Sequence, residues 1–380
     1  MSMWKIFGCD WRICLVFWVL ASLGGCHWLT TPEPGVGQPV DWSDLPGWMT
    51  DQQQEAWPAL LAQCPRMRKK SPLWPDICDA AARLPQPDRQ QVRAFMQRYF
   101  QPYELIGKKG HREGLITGYY QPVLNGRRTP SPRYRYPLYS RPDDLLVIDL
   151  GALYPELKGK RVRGRLEGHK VVPYFDRAQI DGQDKPLKGH EILWVDDPYG
   201  SFFLQIQGSG KIRLPDGAMV AVSYADQNGH PYHAIGKTLI EQGALSRESV
   251  SLFTIRDWLR QHPDQAMALL NKNPSYVFFT LREDARENPR GSLNVPLTNE
   301  RSVAVDRKII PLGSPIWMDS RLPGSGKPYQ RLMFAQDTGG AITGPVRADV
   351  FFGTGKTAEQ LAGTMKQPGK LYILLPRAAI

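Results

Sequence analysis

The sequence predicts a mainly β fold with some helices, and its C-terminal part predicts a small closed barrel. The chain of 380 residues contains 35 Gly and 33 Pro, so turn formers are frequent. The apolar runs between them are short, such as Val350 to Phe352 and Tyr372 to Leu375, which favours short strands. Hydrophobic residues make up 42% of the chain, enough for the core of one large or two medium domains.

The first 25 residues are predicted to be an export signal rather than part of the fold. Two basic residues precede an apolar run from Ile13 to Leu20, which is short for a membrane-spanning helix. The segment ends in Leu23-Gly24-Gly25-Cys26, a pattern typical of the site at which bacteria cleave and acylate a lipoprotein. Because His rather than Asp follows Cys26, the sequence predicts an outer-membrane lipoprotein that faces the periplasm.

The cysteines support export. Cys9 and Cys14 leave with the signal and Cys26 carries the lipid, so only Cys64 and Cys78 remain of the five. An oxidising compartment favours a disulfide between them, and two free buried thiols are the alternative. No Cys/His spacing indicates a zinc site, so no metal is expected.

Residues 26–55 are predicted to form an extended tether, because this stretch is rich in Pro, Gly and Thr. Helical spacing follows from Gln54 to about Gln101, where Val92, Phe95 and Met96 fall on one face. Strand-like runs broken by Pro and Gly then begin, including Thr117 to Pro122 and Phe202 to Gly208.

The second half of the chain predicts two amphipathic helices and then a barrel. The helices are expected at about residues 234–243 and 247–271. Closing a sheet removes its exposed edges, so six short strands with glycine corners predict a small closed barrel. These strands are Val277 to Thr280, Ser302 to Val305, Ile309 to Met318, Arg331 to Ala335, Ala348 to Phe352 and Leu371 to Leu375.

Three aspartates in this tail are the candidate catalytic residues: Asp306, Asp337 and Asp349. Each lies beside a strand end or a glycine-rich turn and has apolar flanks. Apolar surroundings disfavour a charged carboxylate and raise its pKa, so such a group can serve as an acid at neutral pH. Gly339 and Gly340 would let the backbone approach a ligand closely.

The order of these aspartates, with the run Asp337 to Gly344 between them, resembles the signature of the membrane-bound lytic transglycosylase A (MltA) family. The resemblance extends over about residues 110–376. Each block alone is weakly specific, but the order and spacing of the blocks together make a chance match improbable. The other similar blocks are Thr117 to Tyr120, Gln207 to Gly210, Tyr224 to His230, Ile235 to Lys237 and Asn273 to Phe279.

The resemblance implies a double-psi β-barrel domain with a second β-rich domain inserted into it and a glycan groove between them. The expected organisation is a signal at 1–25, a tether at 26–55, a helical part of the barrel domain at 56–121, the inserted domain at 122–280 and the barrel at 281–380. Expected partners are peptidoglycan glycan strands, the outer membrane through the lipid anchor, and other cell-wall enzymes. A net charge of +11 suits anionic lipid headgroups or stem-peptide carboxylates, and export argues against nucleic acid.

The implied reaction cleaves the MurNAc-GlcNAc β-1,4 bond and leaves 1,6-anhydro-N-acetylmuramic acid ends. By resemblance Asp349 is the acid, and Asp337 and Asp306 shape the site. One carboxyl suffices because the sugar's own 6-hydroxyl is the nucleophile, so neither an activated water nor a cofactor is needed. An extra residue between Gly344 and Asp349, relative to the shortest family pattern, loosens the assignment of their neighbours.

Thr117 and Tyr119 are candidate sugar contacts, since a hydroxyl can bond a sugar oxygen and an aromatic ring can cover its apolar face. Gln207 and Ser209 are weaker candidates, and Gly339 and Gly340 complete the set. Two other functions stay open. One is a hydrolase of the expansin-like barrel type, in which Asp337 or Asp306 positions a water. The other is a lipoprotein that binds peptidoglycan without cleaving it.

Overall fold

The structure is a computed structural model that describes residues 32–160 and 162–377. The predicted signal segment and Cys26 lie outside the described residues. The described chain is built mainly of strands, with helices at its N-terminal end, around the middle and near its C-terminal end. The mainly β prediction is therefore confirmed.

The described residues form the following strands and α-helices. The strands are β1 (Gly35–Pro39), β2 (Phe100–Ile106), β3 (Gly114–Gln121), β4 (Val123–Arg127), β5 (Tyr136–Tyr139), β6 (Leu146–Ile148), β7 (Val162–Glu167), β8 (Lys170–Val172), β9 (Glu191–Val195), β10 (Ser209–Arg213), β11 (Met219–Gln227), β12 (Val277–Arg282), β13 (Ser302–Val305), β14 (Pro315–Arg321), β15 (Pro328–Asp337), β16 (Arg347–Thr354) and β17 (Lys366–Pro376). The helices are α1 (Trp57–Met67), α2 (Trp74–Ala82), α3 (Arg89–Tyr99), α4 (Arg177–Ile180), α5 (Pro198–Gln207), α6 (Ile235–Glu241), α7 (Leu252–Gln261), α8 (Pro263–Leu270) and α9 (Lys356–Thr364).

Six strands close into a barrel. Their order is β17-β14-β15-β13-β16-β3, and β3 pairs again with β17. The β13–β15 and β16–β3 pairings are parallel and the others are antiparallel. Alternate residues of each strand point inward and form an apolar core, for example Val303, Val350 and Ile373. Gly118 lies on this crowded face, where a Cβ would come within 2.5 Å of the Phe352 ring.

Helices α1 to α3 pack against the outside of the barrel through a second apolar core rich in Trp and Phe. Asp88 begins α3 by accepting the backbone N–H of Gln91, whose side chain bonds back to Asp88, a capping box. A disulfide with an S–S distance of 2.10 Å joins Cys64 of α1 to Cys78 of α2. The disulfide links the two helices covalently, and both cysteines are buried in this second apolar core.

The predicted tether at 26–55 is wrong for the part from Gly35 onward. Strand β1 pairs with β2, and Trp48 is buried with its ring centroid 5.0 Å from that of Trp317. Asp51 is buried and accepts from both terminal nitrogens of the buried Arg301, at 2.8 and 3.0 Å. The Pro and Gly content suggested an open chain, but this apolar and ionic contact fixes the segment on the barrel.

The second unit is a six-stranded sheet in the order β12-β11-β10-β4-β9-β5. Its own apolar core includes Leu193, Ile212 and Val222. A three-stranded sheet, β6-β7-β8, extends from it, and α6 to α8 form a helical layer with the Phe202 side of α5. The chain passes from the barrel into this sheet at Pro122, between β3 and β4.

The predicted strand from Phe202 to Gly208 is wrong, because these residues end helix α5. Asp197 accepts the Tyr199 N–H at 2.9 Å and Pro198 opens the helix. Gly208 ends it with a φ of 77°, the left-handed cap that glycine favours. Since α5 is buried on most of its surface, its apolar residues run together and imitate a buried strand.

Three further boundaries differ from the sequence prediction. Val277 to Thr280 lies in β12, which pairs with β11 of the second sheet rather than joining the barrel. Ile309 to Ser314 forms a turn, with Gly313 at φ 97°, so β14 begins only at Pro315. The long helix predicted at 247–271 is divided into α7 and α8 at Pro263, which has no N–H to continue a helix.

The buried Arg301–Asp51 pair predicts a large loss of stability when the acid is removed. Asp51→Ala leaves the buried guanidinium with only Glu55 as a charged partner, and we expect the free energy of unfolding to fall by about 3–5 kcal/mol. Urea denaturation measures the change. Asp44→Ala is the control, because Asp44 is exposed and accepts only the Asp41 N–H. Equal effects of the two substitutions would contradict the assignment.

Candidate active site

Two of the predicted aspartates lie in one row across the barrel surface. Asp349 on β16 and Asp337 on β15 are both register partners of Ala304 on the intervening strand β13. Thr117 on β3 is the register partner of Asp349 on its other side. Because neighbouring strands lie about 4.8 Å apart, the Cα atoms of the two aspartates are separated by roughly 10 Å.

The Asp349 carboxyl has one hydroxyl donor. Thr117 Oγ1 donates to Asp349 Oδ1 at 2.5 Å. Burial raises the pKa of the Asp349 carboxyl above its ordinary value, and the negative Asp337 raises it further. The Thr117 hydrogen bond and the Arg347 charge act in the opposite direction but do not cancel the effect of burial. The site therefore favours the protonated form of Asp349.

Asp337 has four donors. Tyr119 donates its hydroxyl to Oδ2 at 2.8 Å, and the backbone N–H and hydroxyl of Ser292 reach Oδ1 at 2.9 and 3.0 Å. The Thr338 N–H adds a fourth bond at 2.8 Å. Burial raises the pKa of Asp337, and each of these donors lowers it. Compared with Asp349, the charged form of Asp337 is held by many more hydrogen bonds.

An apolar floor lies beneath the row. Tyr119, Ala304 and Phe351 belong to one buried cluster with Leu297 and Ile342. The Tyr119 and Phe351 ring centroids are 5.3 Å apart. Burial raises the pKa of the Tyr119 hydroxyl well above its ordinary value, so this group stays a proton donor. The floor excludes water from one side of both carboxyls and is the physical cause of their raised pKa values.

Asp306 holds a turn rather than joining the row. Its Oδ2 accepts the Gly344 N–H at 2.8 Å and its Oδ1 accepts the Lys308 N–H at 3.1 Å. Gly344 has a φ of 105°, a conformation that side chains disfavour. Asp306 thus connects the end of β13 to the loop that carries Gly339 and Gly340, of which Gly340 is exposed.

The remaining predicted contact residues, Gln207 and Ser209, lie where the inserted domain meets the barrel. Gln207 Oε1 accepts the Tyr120 N–H at 2.9 Å, so it links α5 to β3. Ser209 is buried at the start of β10 opposite Ser223. His230 and His233 hydrogen-bond the Tyr174 carbonyl and the Thr238 hydroxyl, respectively. Among the described residues, no group of His, Cys, Asp and Glu is arranged to hold a metal.

Two residues of the site were missed by sequence analysis. Ser292 lies 45 positions before Asp337 in an irregular loop, and no local pattern marks it. Arg347 lies two residues before Asp349, where its charge lowers that carboxyl's pKa. Its Nη1 donates to the Leu115 carbonyl at 3.2 Å. The alternation of β16 could have placed Arg347 on the same face as Asp349, which was a usable signal.

The raised pKa of Asp349 predicts a pH-dependent stability cost. The native state binds this proton more tightly than the unfolded chain, whose Asp pKa is about 3.9. This tighter proton binding stabilises the native state fully at pH values below the unfolded pKa. The stabilisation is lost as the pH rises through the native pKa. Asp349→Asn should therefore raise the free energy of unfolding at pH 7, and the gain should shrink toward pH 4.

Urea denaturation at several pH values tests this expectation. Asp306→Asn is the control and should have the opposite sign, because it weakens the acceptor of two backbone N–H groups. A destabilised Asp349→Asn protein at pH 7 would contradict the stated origin of the raised pKa.

Comparison with known proteins agrees with this geometry. Residues 115–280 match the family model of the MltA specific insert domain, and residues 301–375 match that of the 3D domain. The chain is 33% identical over 293 residues to membrane-bound lytic murein transglycosylase A of Escherichia coli K12, covering 74% of this chain and 71% of the relative. The Vibrio cholerae relative is 32% identical over 274 residues, covering 70% and 67%.

Solved structures give the same result. The membrane-bound lytic murein transglycosylase from Agrobacterium tumefaciens superposes with a TM-score of 0.78 at 32% identity, covering 90% of this chain and 98% of that one. MltA from Neisseria gonorrhoeae gives 0.76 at 33% identity, covering 92% and 97%. E. coli MltA with bound chitohexaose gives 0.68 at 26% identity, covering 92% and 96%. The chain belongs to the membrane-bound lytic murein transglycosylase A family, and the predicted two-domain fold with a groove between the domains is confirmed.

Proposed function

We propose that this protein is a lytic transglycosylase that cleaves the MurNAc-GlcNAc β-1,4 bond of peptidoglycan and leaves 1,6-anhydro-N-acetylmuramic acid ends. Family membership supports the activity, since the relatives are lytic murein transglycosylases. The E. coli relative binds chitohexaose, a chain of β-1,4-linked N-acetylated sugars. The two parallel pairings in the closed barrel also support the double-psi topology.

The unequal hydrogen bonding of the two carboxyls carries the assignment of roles. Asp349 has a single hydroxyl donor, whereas Asp337 has four. A carboxylate with several donors keeps its charge, and one with few donors in apolar surroundings keeps its proton. We therefore assign Asp349 as the acid and Asp337 as the charged partner.

The reaction needs one proton shuttle. Asp349 gives its proton to the glycosidic oxygen, the C1–O4 bond breaks, and positive charge develops at C1 of the MurNAc ring. The negative charge of Asp337 stabilises this centre across the site. The MurNAc 6-hydroxyl then attacks C1 while the Asp349 carboxylate accepts its proton. The anhydro ring closes, and Asp349 is again protonated for the next cycle.

Hydrolysis is the second candidate, because a second carboxyl, that of Asp337, lies in the same row as Asp349. Inverting glycosidases use such a pair, one carboxyl as the acid and the other as the base that activates a water. In this case Asp337 would act as the base. Mass spectrometry of the products separates the two reactions, since hydrolysis gives reducing ends and transglycosylation gives anhydro ends. A protein that only binds the wall would release neither.

The acid assignment predicts a loss of turnover without loss of binding. Asp349→Asn keeps the shape and the Thr117 contact but cannot donate and recover a proton, so kcat should fall by about 10²- to 10⁴-fold. Anhydromuropeptide release from purified sacculi measures turnover, and cosedimentation with insoluble sacculi measures binding. Thr117→Val, which removes the hydroxyl donor, should reduce kcat less.

Controls on the other aspartates complete this test. Asp337→Asn should lower kcat while leaving in place the alkaline limb of the pH profile, where Asp349 loses its proton. Asp306→Asn should act through the geometry of its loop. Near-normal release by folded Asp349→Asn protein would transfer the acid role, most directly to Asp337.

We also propose that the mature protein is an outer-membrane lipoprotein acylated at Cys26. The membrane-bound relatives support membrane association. In the residues from 32 onward that the structure describes, no helix is long and apolar enough to span a bilayer. An N-terminal lipid would supply the attachment, and the chain would then need only residues 26–34 to reach β1.

Substitution of the acylated cysteine tests the anchor. Cys26→Ala should leave the precursor uncleaved at the Gly25–Cys26 bond, because lipoprotein processing requires the cysteine. Palmitate labelling and fractionation of outer and inner membranes measure the outcome. Trp28→Ala, just beyond the cleavage site, is the matched control and should be processed normally. Normal cleavage and outer-membrane partition of Cys26→Ala would contradict the proposal.

A further inference from the structure

A cavity of about 300 Å³ lies in the inserted domain, among residues that the proposed reaction does not use. It is enclosed between α4, α5, the end of α8 and strands β5 and β9. The carboxyl row lies on the barrel strands and contributes no residue to its lining. The volume is at the lower end of ligand sites and fits one amino-acid residue with its functional groups.

A buried arginine lines this cavity, and one of its terminal nitrogens forms no hydrogen bond within the described residues. Arg177 is 2% exposed. Its Nε donates to the Asn273 carbonyl at 3.0 Å, and its Nη2 donates to the Gln205 side chain at 2.7 Å and to the Ser275 carbonyl at 2.6 Å. Its Nη1 has no hydrogen-bond partner among the described residues and lies 3.8 Å from Asp181 Oδ2. Arg177 and Asp181 both line the cavity, so this nitrogen keeps an N–H that a ligand's acceptor group can reach beside the Asp181 ion pair.

The rest of the lining presents both signs of charge on an aromatic wall. Asp181 and Glu191 are the acids, and Arg135 and Lys185 are cations in addition to Arg177. Burial raises the pKa of the Asp181 carboxyl, although the Arg177 charge and a Tyr276 hydrogen bond act in the opposite direction. An incoming ammonium group would offset the remaining desolvation cost. The rings of Tyr139, Trp194 and Tyr276 supply the apolar surface.

We propose that this cavity binds the zwitterionic end of a peptide, with the carboxylate on Arg177 Nη1 and Lys185 and the ammonium group on Asp181 and Glu191. A neutral sugar offers no charge to this lining, whereas a zwitterion matches both of its signs, which makes a glycan the weaker fit. The source of such a peptide rests on the proposed function, because the stems of peptidoglycan carry amino acids with free ammonium and carboxylate groups. The site would add stem-peptide recognition to an enzyme whose chemistry occurs on the glycan.

Titration calorimetry of the full chain tests the proposal, with L-Ala-γ-D-Glu-meso-diaminopimelate as the probe and chitotetraose as the neutral comparison. One tripeptide should bind per chain. Asp181→Asn and Lys185→Asn should each weaken its binding about tenfold. Lys185 has a φ of 42°, which asparagine tolerates, so the second variant keeps the backbone. Asp184→Asn, outside the cavity, and Asp349→Asn, on the barrel, should bind the tripeptide normally.

Activity assays distinguish this proposal from the proposed function. The cavity variants should raise KM for peptide-bearing sacculi and leave cleavage of peptide-free glycan strands unchanged. The proposal is overturned if the wild-type chain does not bind the tripeptide, or if Asp181→Asn and Lys185→Asn both bind it normally. Binding of chitotetraose that is lost in Trp194→Ala would also overturn it, in favour of a glycan site. Failure to release anhydromuropeptides would overturn the proposed function alone.

Discussion

Strand β13 is four residues long, and it pairs with both strands that carry the aspartates of the site, β15 and β16. Ala304 faces Asp337 on one side and Asp349 on the other, so the register of this strand sets the distance between the carboxyls. Slipping either pairing by one residue would turn an aspartate into the barrel core. The register is fixed from both ends, by the inward-facing valines of β13 and by Asp306, which holds the following turn.

Barrel closure supplies the second half of the site. Thr117 and Tyr119 lie on β3, more than 200 positions before the aspartates that they contact, and only the parallel β3–β16 pairing brings them together. The same strand leads directly into the inserted domain, and Gln207 bonds its backbone at Tyr120. Strand β3 therefore donates hydrogen bonds to both carboxyls and also contacts the inserted domain through Gln207.

Sequence reasoning found what is local and missed what is distant. The three aspartates, the cysteines and the alternation of β3 are readable from short windows, because burial repeats every second residue in a strand. Helix α5 was misread because its consecutive apolar residues Phe202 to Leu204 are all buried, although Asp197, Pro198 and Gly208 carried the correct capping signals. Ser292 could not be found, since only the folded loop places it beside Asp337. The N-terminal segment was misjudged because composition does not reveal the partner that Asp51 finds in Arg301.

The barrel surrounds two of its charged groups, Arg301 and Asp349, in different ways. Arg301 is buried with a direct bidentate partner and the Glu55 carboxylate, so its charge is compensated. Asp349 is placed on an apolar floor with one hydroxyl donor and a like charge nearby, so ionisation is disfavoured. A second donor at Asp349 would stabilise its charged form and lower its pKa. The scarcity of hydrogen bonds at Asp349 thus leaves burial to raise the pKa of this half-buried carboxyl, which the acid role proposed for it requires.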